Sequence, residues 1–128
     1  MTNYIILTDT APDSEANFDP RVQVYLKFTG DQGESNYIRL DDVGEDDLEP
    51  GQTDDFHVET RDVGQLEQMH IKIEGTPSKN WHLLQARIQK KVNGTVEREW
   101  SAYHKGQEAE GFWFGPNGVR EGTLTVPN

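Results

Sequence analysis

Three carboxylate side chains stand close together at Asp46, Asp47 and Glu49, directly before Pro50 and Gly51. Carboxylates packed this closely repel one another unless a cation or solvent screens them. Calcium binds about six to eight oxygen ligands, mostly from carboxylates and nearby carbonyl groups. The run therefore predicts either a calcium site or a solvated acidic loop, and its charge alone favours the solvated loop.

Residues for other kinds of chemistry are sparse in this chain. It has no cysteine, which excludes thiol chemistry and a disulfide framework. It also lacks a nucleophile elbow, a glycine-rich phosphate loop and a His-Glu-x-x-His box. Its few serines have no adjacent base in the sequence, so we predict that the chain is not an enzyme.

The four histidines do not cluster in the sequence. Alternation of the surrounding residues points His57 and His70 outward on strands that follow one another, which allows a cross-strand pair. Such a pair is a poor zinc site without a third ligand. Ordinary surface histidines are therefore the favoured interpretation.

Net charge and length limit the possible partners. The formal charge is −11, the wrong sign for binding phosphate backbones, which argues against a nucleic-acid partner. The same charge repels anionic lipids, so membrane contact would need bridging cations or an apolar tip. No stretch approaches the roughly 20 apolar residues of a transmembrane segment, and the absence of a signal peptide predicts a cytoplasmic protein. Residues 1–128 are predicted to form a single domain.

Apolar and polar residues alternate through most of the chain, with turn residues between the runs. This pattern predicts an all-β protein, either an antiparallel sandwich or a barrel. The first strand is placed at Tyr4 to Thr8, and the second at Val22 to Phe28 with Val24, Leu26 and Phe28 on the buried face. Further strands are predicted at 35–40, around Phe56 and Val58, from Leu66 to Ile73, from Trp81 to Ile88 and from Val96 to Trp100.

Two of these strands break strict alternation. Leu66 and Met69 have opposite parity although both should be buried, which predicts a bulge at the residues between them. A similar change of parity predicts a second bulge near Leu83. Asn93-Gly94 is the favoured dipeptide of a type I′ hairpin, so a tight turn is predicted there.

The last part of the chain, residues 104–128, is predicted to be a hairpin extension. In this interpretation Phe112-Trp113-Phe114 pairs with Leu124-Thr125-Val126 across the turn at 115–118. The aromatic run is also a candidate docking patch. Because half of an alternating aromatic strand is normally buried, a place in the core is the favoured interpretation.

Three segments together resemble a known family. They are the opening run Tyr4 to Asp9, the strand Val24 to Gly30, and the stretch from Leu48 to Ile88 with its ordered turns and strands. Taken together they resemble a PLAT domain, the lipoxygenase homology β-sandwich, over most of the chain. The resemblance implies a two-sheet antiparallel β-sandwich of about eight strands. It also implies a free-standing, non-catalytic module that binds calcium and docks to a lipid surface or to a protein.

The resemblance also assigns calcium ligands. Calcium-binding members of the family carry an Asn/Asp pair, followed two residues later by Glu, just ahead of the Gly that opens a strand. Asp46, Asp47 and Glu49 match this pattern before Gly51. The family places Asp or Asn directly before a Trp, and Asn80 occupies that position.

The loop before the second strand departs from the family pattern. Counting back from Gly30 puts Arg21 where the family has Asp, and Asp19 can replace that ligand only if the loop is two residues longer. Arg21 near the site would weaken cation binding by a repulsion of about 1 to 4 kcal/mol. The resemblance therefore implies one bound calcium ion, with Asp46, Asp47, Glu49 and Asn80 as ligands and Asp19 as a further candidate.

Residues at the loop tips decide how such a domain docks. Membrane-docking members of the family present aromatic residues there, and Phe18 is the tip residue of this chain that suits insertion. We therefore expect weak membrane affinity, and a protein partner is a strong alternative to a lipid surface. The leading alternative is a metal-independent protein-interaction module that uses a sheet face or Phe112, Trp113 and Phe114. A carbohydrate-binding sandwich with exposed Trp and Tyr is third.

Overall fold

Antiparallel strands dominate the computed structural model, which describes residues 1–13, 23–40, 51–75, 81–104, 112–115 and 120–127. Within these residues there are ten strands and no helix. The described part of the chain therefore contains no helix that could cross a membrane. The strands are β1 (Thr2–Thr10), β2 (Gln23–Gly30), β3 (Gly33–Glu34), β4 (Ile38–Arg39), β5 (Thr53–Thr60), β6 (Leu66–Glu74), β7 (Trp81–Val92), β8 (Thr95–His104), β9 (Phe112–Phe114) and β10 (Glu121–Thr125).

The strands form two sheets. The first sheet has the order β5-β1-β7-β8, with β9 paired to the start of β7. The second sheet has β3 and β4 paired to β2, followed by β6 and β10. Because β10 also pairs with β8, the two sheets join along one side. The two-sheet antiparallel β-sandwich predicted from the sequence is confirmed.

The core lies between the inward faces of the two sheets. Val24, Leu26 and Phe28 are all buried on β2, as alternation predicted. Tyr4 on β1 packs edge-on against Phe28, with ring centroids 4.9 Å apart. Since β1 and β2 belong to different sheets, this aromatic pair fixes one sheet against the other.

Both predicted bulges are confirmed. In the pairing of β2 with β6 the register shifts, so that Glu67 has no residue directly opposite. In the pairing of β1 with β7 the register shifts at Leu84. The second bulge keeps Leu83 in the core and leaves Leu84 38% exposed on the outer surface.

The predicted tight turn between β7 and β8 is confirmed as well. Asn93 and Gly94 both have positive φ angles, 52° and 79°, as the two central residues of a type I′ turn require. Val92 and Thr95 face each other across the turn. The register shifts by one residue between Lys91 and Lys90, so that Glu97 has no residue directly opposite.

The strand predicted at 35–40 is interrupted. The backbone N–H of Phe28 donates to the Ser35 hydroxyl at 3.0 Å, while the Ser35 N–H donates to the Phe28 carbonyl at 2.9 Å. A side-chain oxygen thus replaces the backbone acceptor that a regular ladder would provide at this point. Regular pairing with β2 resumes at Ile38 and Arg39.

The predicted C-terminal hairpin is wrong. β9 pairs with the start of β7, whereas β10 lies between β6 and β8 in the described part of the chain. The turn residues between the two segments do not determine their partners.

The cross-strand pair of His57 and His70 is also wrong. The two residues lie on β5 and β6, which follow one another in the chain but belong to different sheets. His70 instead lies 2.9 Å from Glu121 on β10, measured from Nε2 to Oε1. His57 lies 3.2 Å from Asp55 on its own strand.

Candidate docking site at one end of the sandwich

The described strands place both flanks of three connections between the two sheets at the same end of the sandwich. These three segments are residues 14–22, 41–50 and 76–80, which connect β1 to β2, β4 to β5 and β6 to β7. The pairing places the end of β1 beside the starts of β5 and β7, and the start of β2 beside the end of β6. We call this end of the sandwich, defined by the described residues that flank the three segments, the loop end.

Backbone hydrogen bonds fix the flanks of these segments to one another. The Ala11 N–H donates to the His82 carbonyl at 2.9 Å, and the Gly51 N–H donates to the Ala11 carbonyl at 3.2 Å. The Thr10 N–H donates to the Gln52 carbonyl at 3.0 Å. The residues that leave β1 and enter β5 and β7 are therefore held within one hydrogen-bonded cluster.

The predicted calcium ligands lie outside the described residues. This holds for Asp46, Asp47, Glu49, Asn80 and Asp19, and also for the docking candidate Phe18. Within the part of the chain that the structure describes, no three His, Asp or Glu side chains are grouped closely enough to hold a metal ion. The calcium site stays a prediction, and the loop end is where its three segments begin and end.

Trp81 anchors the start of β7, directly after Asn80. Its side chain is fully buried. The indole Nε1–H donates to the Thr10 hydroxyl at 2.9 Å, and the ring packs against Phe114 with centroids 5.4 Å apart. The residue next to a predicted ligand is thus fixed in the core by both packing and a buried hydrogen bond.

The predicted docking patch divides between the core and the surface. Phe114 is fully buried beside Trp81, so the favoured interpretation, a place in the core, is confirmed for this side chain and the docking prediction is wrong for it. Trp113 is 40% exposed, because alternation turns it to the opposite face of β9. Phe112 lies opposite Leu83 in the pairing of β9 with β7. The structure describes the backbone of Phe112 but not its side chain, so the docking prediction stays a prediction for this residue.

An arrangement at the loop end that the sequence did not predict joins Trp113 to His82 and Asp13. The imidazole of His82 stacks on the Trp113 indole, with centroids 4.2 Å apart and planes 12° from parallel. His82 Nδ1 lies 2.6 Å from Asp13 Oδ1. No pattern in the sequence predicts this contact, because it depends on the pairing of β9 with β7. The stack holds the exposed indole in a fixed orientation.

Asp9 is the centre of a polar network on the outer face of the first sheet. It accepts hydrogen bonds from the Thr53 hydroxyl at 2.6 Å, from Gln85 at 2.8 Å and from two N–H groups of Arg87 at 3.0 and 3.1 Å. Burial alone would raise the pKa of Asp9, but these hydrogen bonds outweigh it and lower the pKa below its ordinary value. The network ties β1 to both of its neighbours.

Asp62 has a similar role at the opposite end of the sandwich. Its carboxylate lies 2.7 Å from Lys90 Nζ and accepts a hydrogen bond from the Gly64 N–H at 2.9 Å. The hydrogen bond with Lys90, followed by that from Gly64, lowers the pKa of Asp62. The same contact raises the pKa of Lys90.

Acid is expected to weaken the fold through these two carboxylates. Both have a folded pKa below the ordinary value of 3.8, so their contribution is fully present above that value and is lost as the pH falls through the folded pKa. We expect the free energy of unfolding, measured by urea denaturation, to fall as the pH drops below about 4. Asp9→Asn should destabilise the protein at pH 7 and matter progressively less below pH 4.

Thr53→Ala is the graded control for this prediction, since it removes one donor to Asp9 and leaves Arg87 and Gln85 in place. Its effect should have the same sign as that of Asp9→Asn and a smaller size. If the free energies of unfolding of wild type and Asp9→Asn differ by the same amount from pH 7 to pH 2, the lowered pKa of Asp9 is contradicted.

A scan against protein-family models identifies the family. Residues 4–107 match the model of the PLAT/LH2 domain. The chain belongs to the PLAT/LH2 domain family. The match includes every strand from β1 to β8 in whole or nearly whole length, whereas β9 and β10 lie beyond residue 107. The resemblance seen in the sequence is therefore confirmed.

Solved structures with the same fold include lipoxygenases. A coral 8R-lipoxygenase, described as activated by calcium through a C2-like domain, is 19% identical with a TM-score of 0.71; the match covers 98% of this chain and 17% of that one. A calcium-dependent 11R-lipoxygenase is 22% identical with a TM-score of 0.71, and the match covers 98% of this chain and 17% of that one. The alpha toxin of Clostridium absonum is 15% identical with a TM-score of 0.61, covering 98% of this chain and 31% of the toxin.

These likenesses concern the PLAT/LH2 domain alone. The chain spans less than a fifth of the length of the lipoxygenases that it matches, at 17%. No curated protein matches the sequence. The identities are low enough that the solved structures support the fold and nothing finer.

Proposed function

We propose that this PLAT/LH2 domain is a non-catalytic docking module that binds calcium at the loop end and then attaches to a lipid surface. The observation that carries the proposal is the hydrogen-bonded convergence of Ala11, Gly51 and His82. Through it, the three segments that hold the predicted ligands start and finish at one end. The exposed indole of Trp113 lies at that same end, stacked on His82.

The donor set suits calcium. Asp46, Asp47 and Glu49 supply carboxylate oxygens and Asn80 an amide oxygen, which are the ligand types that calcium prefers. Asp19 is a further candidate, and the nearby Arg21 would weaken the site. A bound calcium ion would offset part of the charge of −11 and reduce the repulsion between this acidic protein and a lipid surface.

Trp113 is the described residue best suited to contact lipid. An indole prefers the interface between headgroups and acyl chains, where its ring is in an apolar region and its N–H remains hydrated. Leu84 adds a second exposed apolar side chain, two positions along β7 from the His82 on which Trp113 stacks. Together these side chains offer a small apolar surface that calcium would bring close to the membrane.

Replacing Trp113 with alanine is expected to weaken calcium-dependent binding to phosphatidylcholine vesicles about tenfold, which corresponds to about 1.4 kcal/mol. Co-sedimentation with and without a chelator measures this. The matched control is Val96→Ala, which removes an exposed apolar side chain beside the turn at the other end of the sandwich. Equal vesicle affinity of wild type and Trp113→Ala would contradict the lipid role of this residue.

A protein partner is the second candidate, and the same residue supports it. Tryptophan is enriched among the residues that dominate protein interfaces, and His82 holds Trp113 in one orientation before binding. Calcium binding that leaves vesicle affinity unchanged would favour this candidate. A carbohydrate partner is less well supported, because Lys72 and Lys27 lie over the exposed Tyr37 ring, 4.2 and 5.0 Å from its centroid.

A further inference from the structure

Strand β5 forms a long edge of the first sheet. In the part of the chain that the structure describes, β5 pairs with β1 alone. The pairing is unbroken over all eight residues of β5, from Thr53 to Thr60. Such a strand presents a regular row of backbone N–H and C=O groups on its other side, which is a template for a further strand. The geometry therefore offers a strand-addition site distinct from the loop end.

The side chains of β5 divide into two faces with different chemistry. The outer face carries Asp55, His57 and Glu59, all exposed. The inner face carries Asp54 and Phe56, which are buried, and Val58, which is half-buried at the edge of the core. From Asp55 to Glu59, an added strand would therefore meet two carboxylates on the outer face and the apolar side chains of Phe56 and Val58 on the inner one.

A groove lies next to this strand. It has a volume of about 370 Å³ and is lined by Asn3, His57, Val58, Glu59, Lys91 and Gly94, together with Tyr4. Asn3 lies between Glu59 and Lys91 in the register of the sheet. The short Asn3 side chain between two longer ones leaves space into which a side chain of an added strand can extend.

We propose that β5 binds an extended, basic peptide segment by strand addition. Residues that face each other across an antiparallel pair lie about 4.5 to 5.5 Å apart at Cβ, so opposite charges there attract. The segment should carry lysine or arginine opposite Asp55 and Glu59 and apolar residues opposite Phe56 and Val58. The resulting order, basic–apolar–any–apolar–basic, reads the same in both directions and so fits parallel or antiparallel addition.

The same charges disfavour the other obvious occupant, a second copy of this chain. Antiparallel pairing of β5 with itself about His57 would set Asp55 directly opposite Glu59 in both halves of the pair. Like charges in directly opposite positions destabilise a strand pair. The edge thus discriminates against its own copy and in favour of a basic partner, independently of calcium and of the proposed docking function.

The probe for this proposal is the acetylated and amidated peptide Thr-Lys-Val-Thr-Val-Lys-Thr with a fluorescent label, titrated at low salt with chelator present. We expect saturable binding by fluorescence anisotropy. Amide chemical-shift changes and slowed hydrogen exchange should be confined to β5 and the groove. Asp55→Lys with Glu59→Lys should weaken binding about tenfold or more, and the peptide with Glu in place of Lys should bind this variant instead.

Two controls separate strand addition from general attraction to an acidic protein. Glu34→Lys with Glu67→Lys makes the same change of charge on the second sheet and should leave affinity nearly unchanged. A peptide N-methylated at alternate residues keeps its charge but cannot complete the backbone ladder, and it should fail to bind. The proposal is overturned if the peptide does not bind at millimolar concentration or if the methylated peptide binds equally well. It is also overturned if the two double variants change the affinity equally, or if the protein forms a dimer through β5. The peptide experiments contain chelator, and calcium binding is measured separately by titration. Failure of strand addition at β5 can therefore be distinguished from failure of the proposed calcium-dependent docking.

Discussion

Replacing Trp81 with alanine is expected to lower the free energy of unfolding by about 3 to 5 kcal/mol. The side chain is fully buried, so its removal leaves a large cavity among well-packed neighbours such as Phe114. It also removes the buried hydrogen bond from Nε1 to the Thr10 hydroxyl. Urea denaturation followed by circular dichroism measures the change. Because Trp81 lies directly after Asn80, the same substitution should loosen the loop end.

Two matched variants separate packing from hydrogen bonding. Trp81→Phe keeps most of the apolar volume and loses the hydrogen bond, so it should cost less than Trp81→Ala, about 1 to 3 kcal/mol. Trp113→Ala removes the same type of side chain from a position that is 40% exposed, and it should cost under about 1 kcal/mol. A loss below about 1 kcal/mol for Trp81→Ala would contradict the place of Trp81 in the core.

Local patterns in the sequence predicted the local features of this fold. Alternation identified the buried residues of β2, and the same rule located the bulges at Glu67 and Leu84 where alternation fails. The turn at Asn93-Gly94 followed from the positive φ angles that only a few residue types adopt readily. In each case, the physical cause lies within a few neighbouring residues.

Features that depend on long-range pairing were not predicted. β9 and β10 are close in sequence and separated by turn residues, yet they pair with different strands. His57 and His70 lie on successive strands of different sheets, because the connection between β5 and β6 crosses the sandwich. Neither outcome can be inferred from periodicity, which reports the face of a residue but not its neighbour across the sheet.

The candidate site shows the same division. Family resemblance supplied Asp46, Asp47, Glu49 and Asn80, and the structure adds the convergence of the described residues that flank their segments. The stack of Trp113 on His82 required the pairing of β9 with β7 and was missed. The sequence thus indicated the type of ligand, whereas the structure indicates an exposed aromatic residue at the loop end.

Loss of calcium binding in a double variant of the acidic loop is the second large effect that we expect. Asp46→Asn with Asp47→Asn removes two of the predicted carboxylate ligands while keeping side chains of the same size. Each carboxylate close to a divalent ion contributes on the order of a few kcal/mol at a protein surface. The variant should therefore bind calcium at least about 100-fold more weakly than the wild type.

The matched control removes two carboxylates from the opposite end of the sandwich. Glu34→Gln with Glu67→Gln lowers the negative charge by the same amount, and both residues are exposed on the second sheet. This variant should bind calcium nearly as tightly as the wild type, because long-range attraction between exposed charges is screened beyond about 10 Å at ordinary ionic strength.

Calorimetric titration of calcium into chelator-treated wild-type protein and these two double variants tests the central claim most directly. The account predicts micromolar-to-millimolar binding to the wild type and to the control variant, and loss of binding when Asp46 and Asp47 are replaced. Absence of binding to the wild type at millimolar calcium, or equal binding to all three proteins, would contradict a calcium site at the loop end.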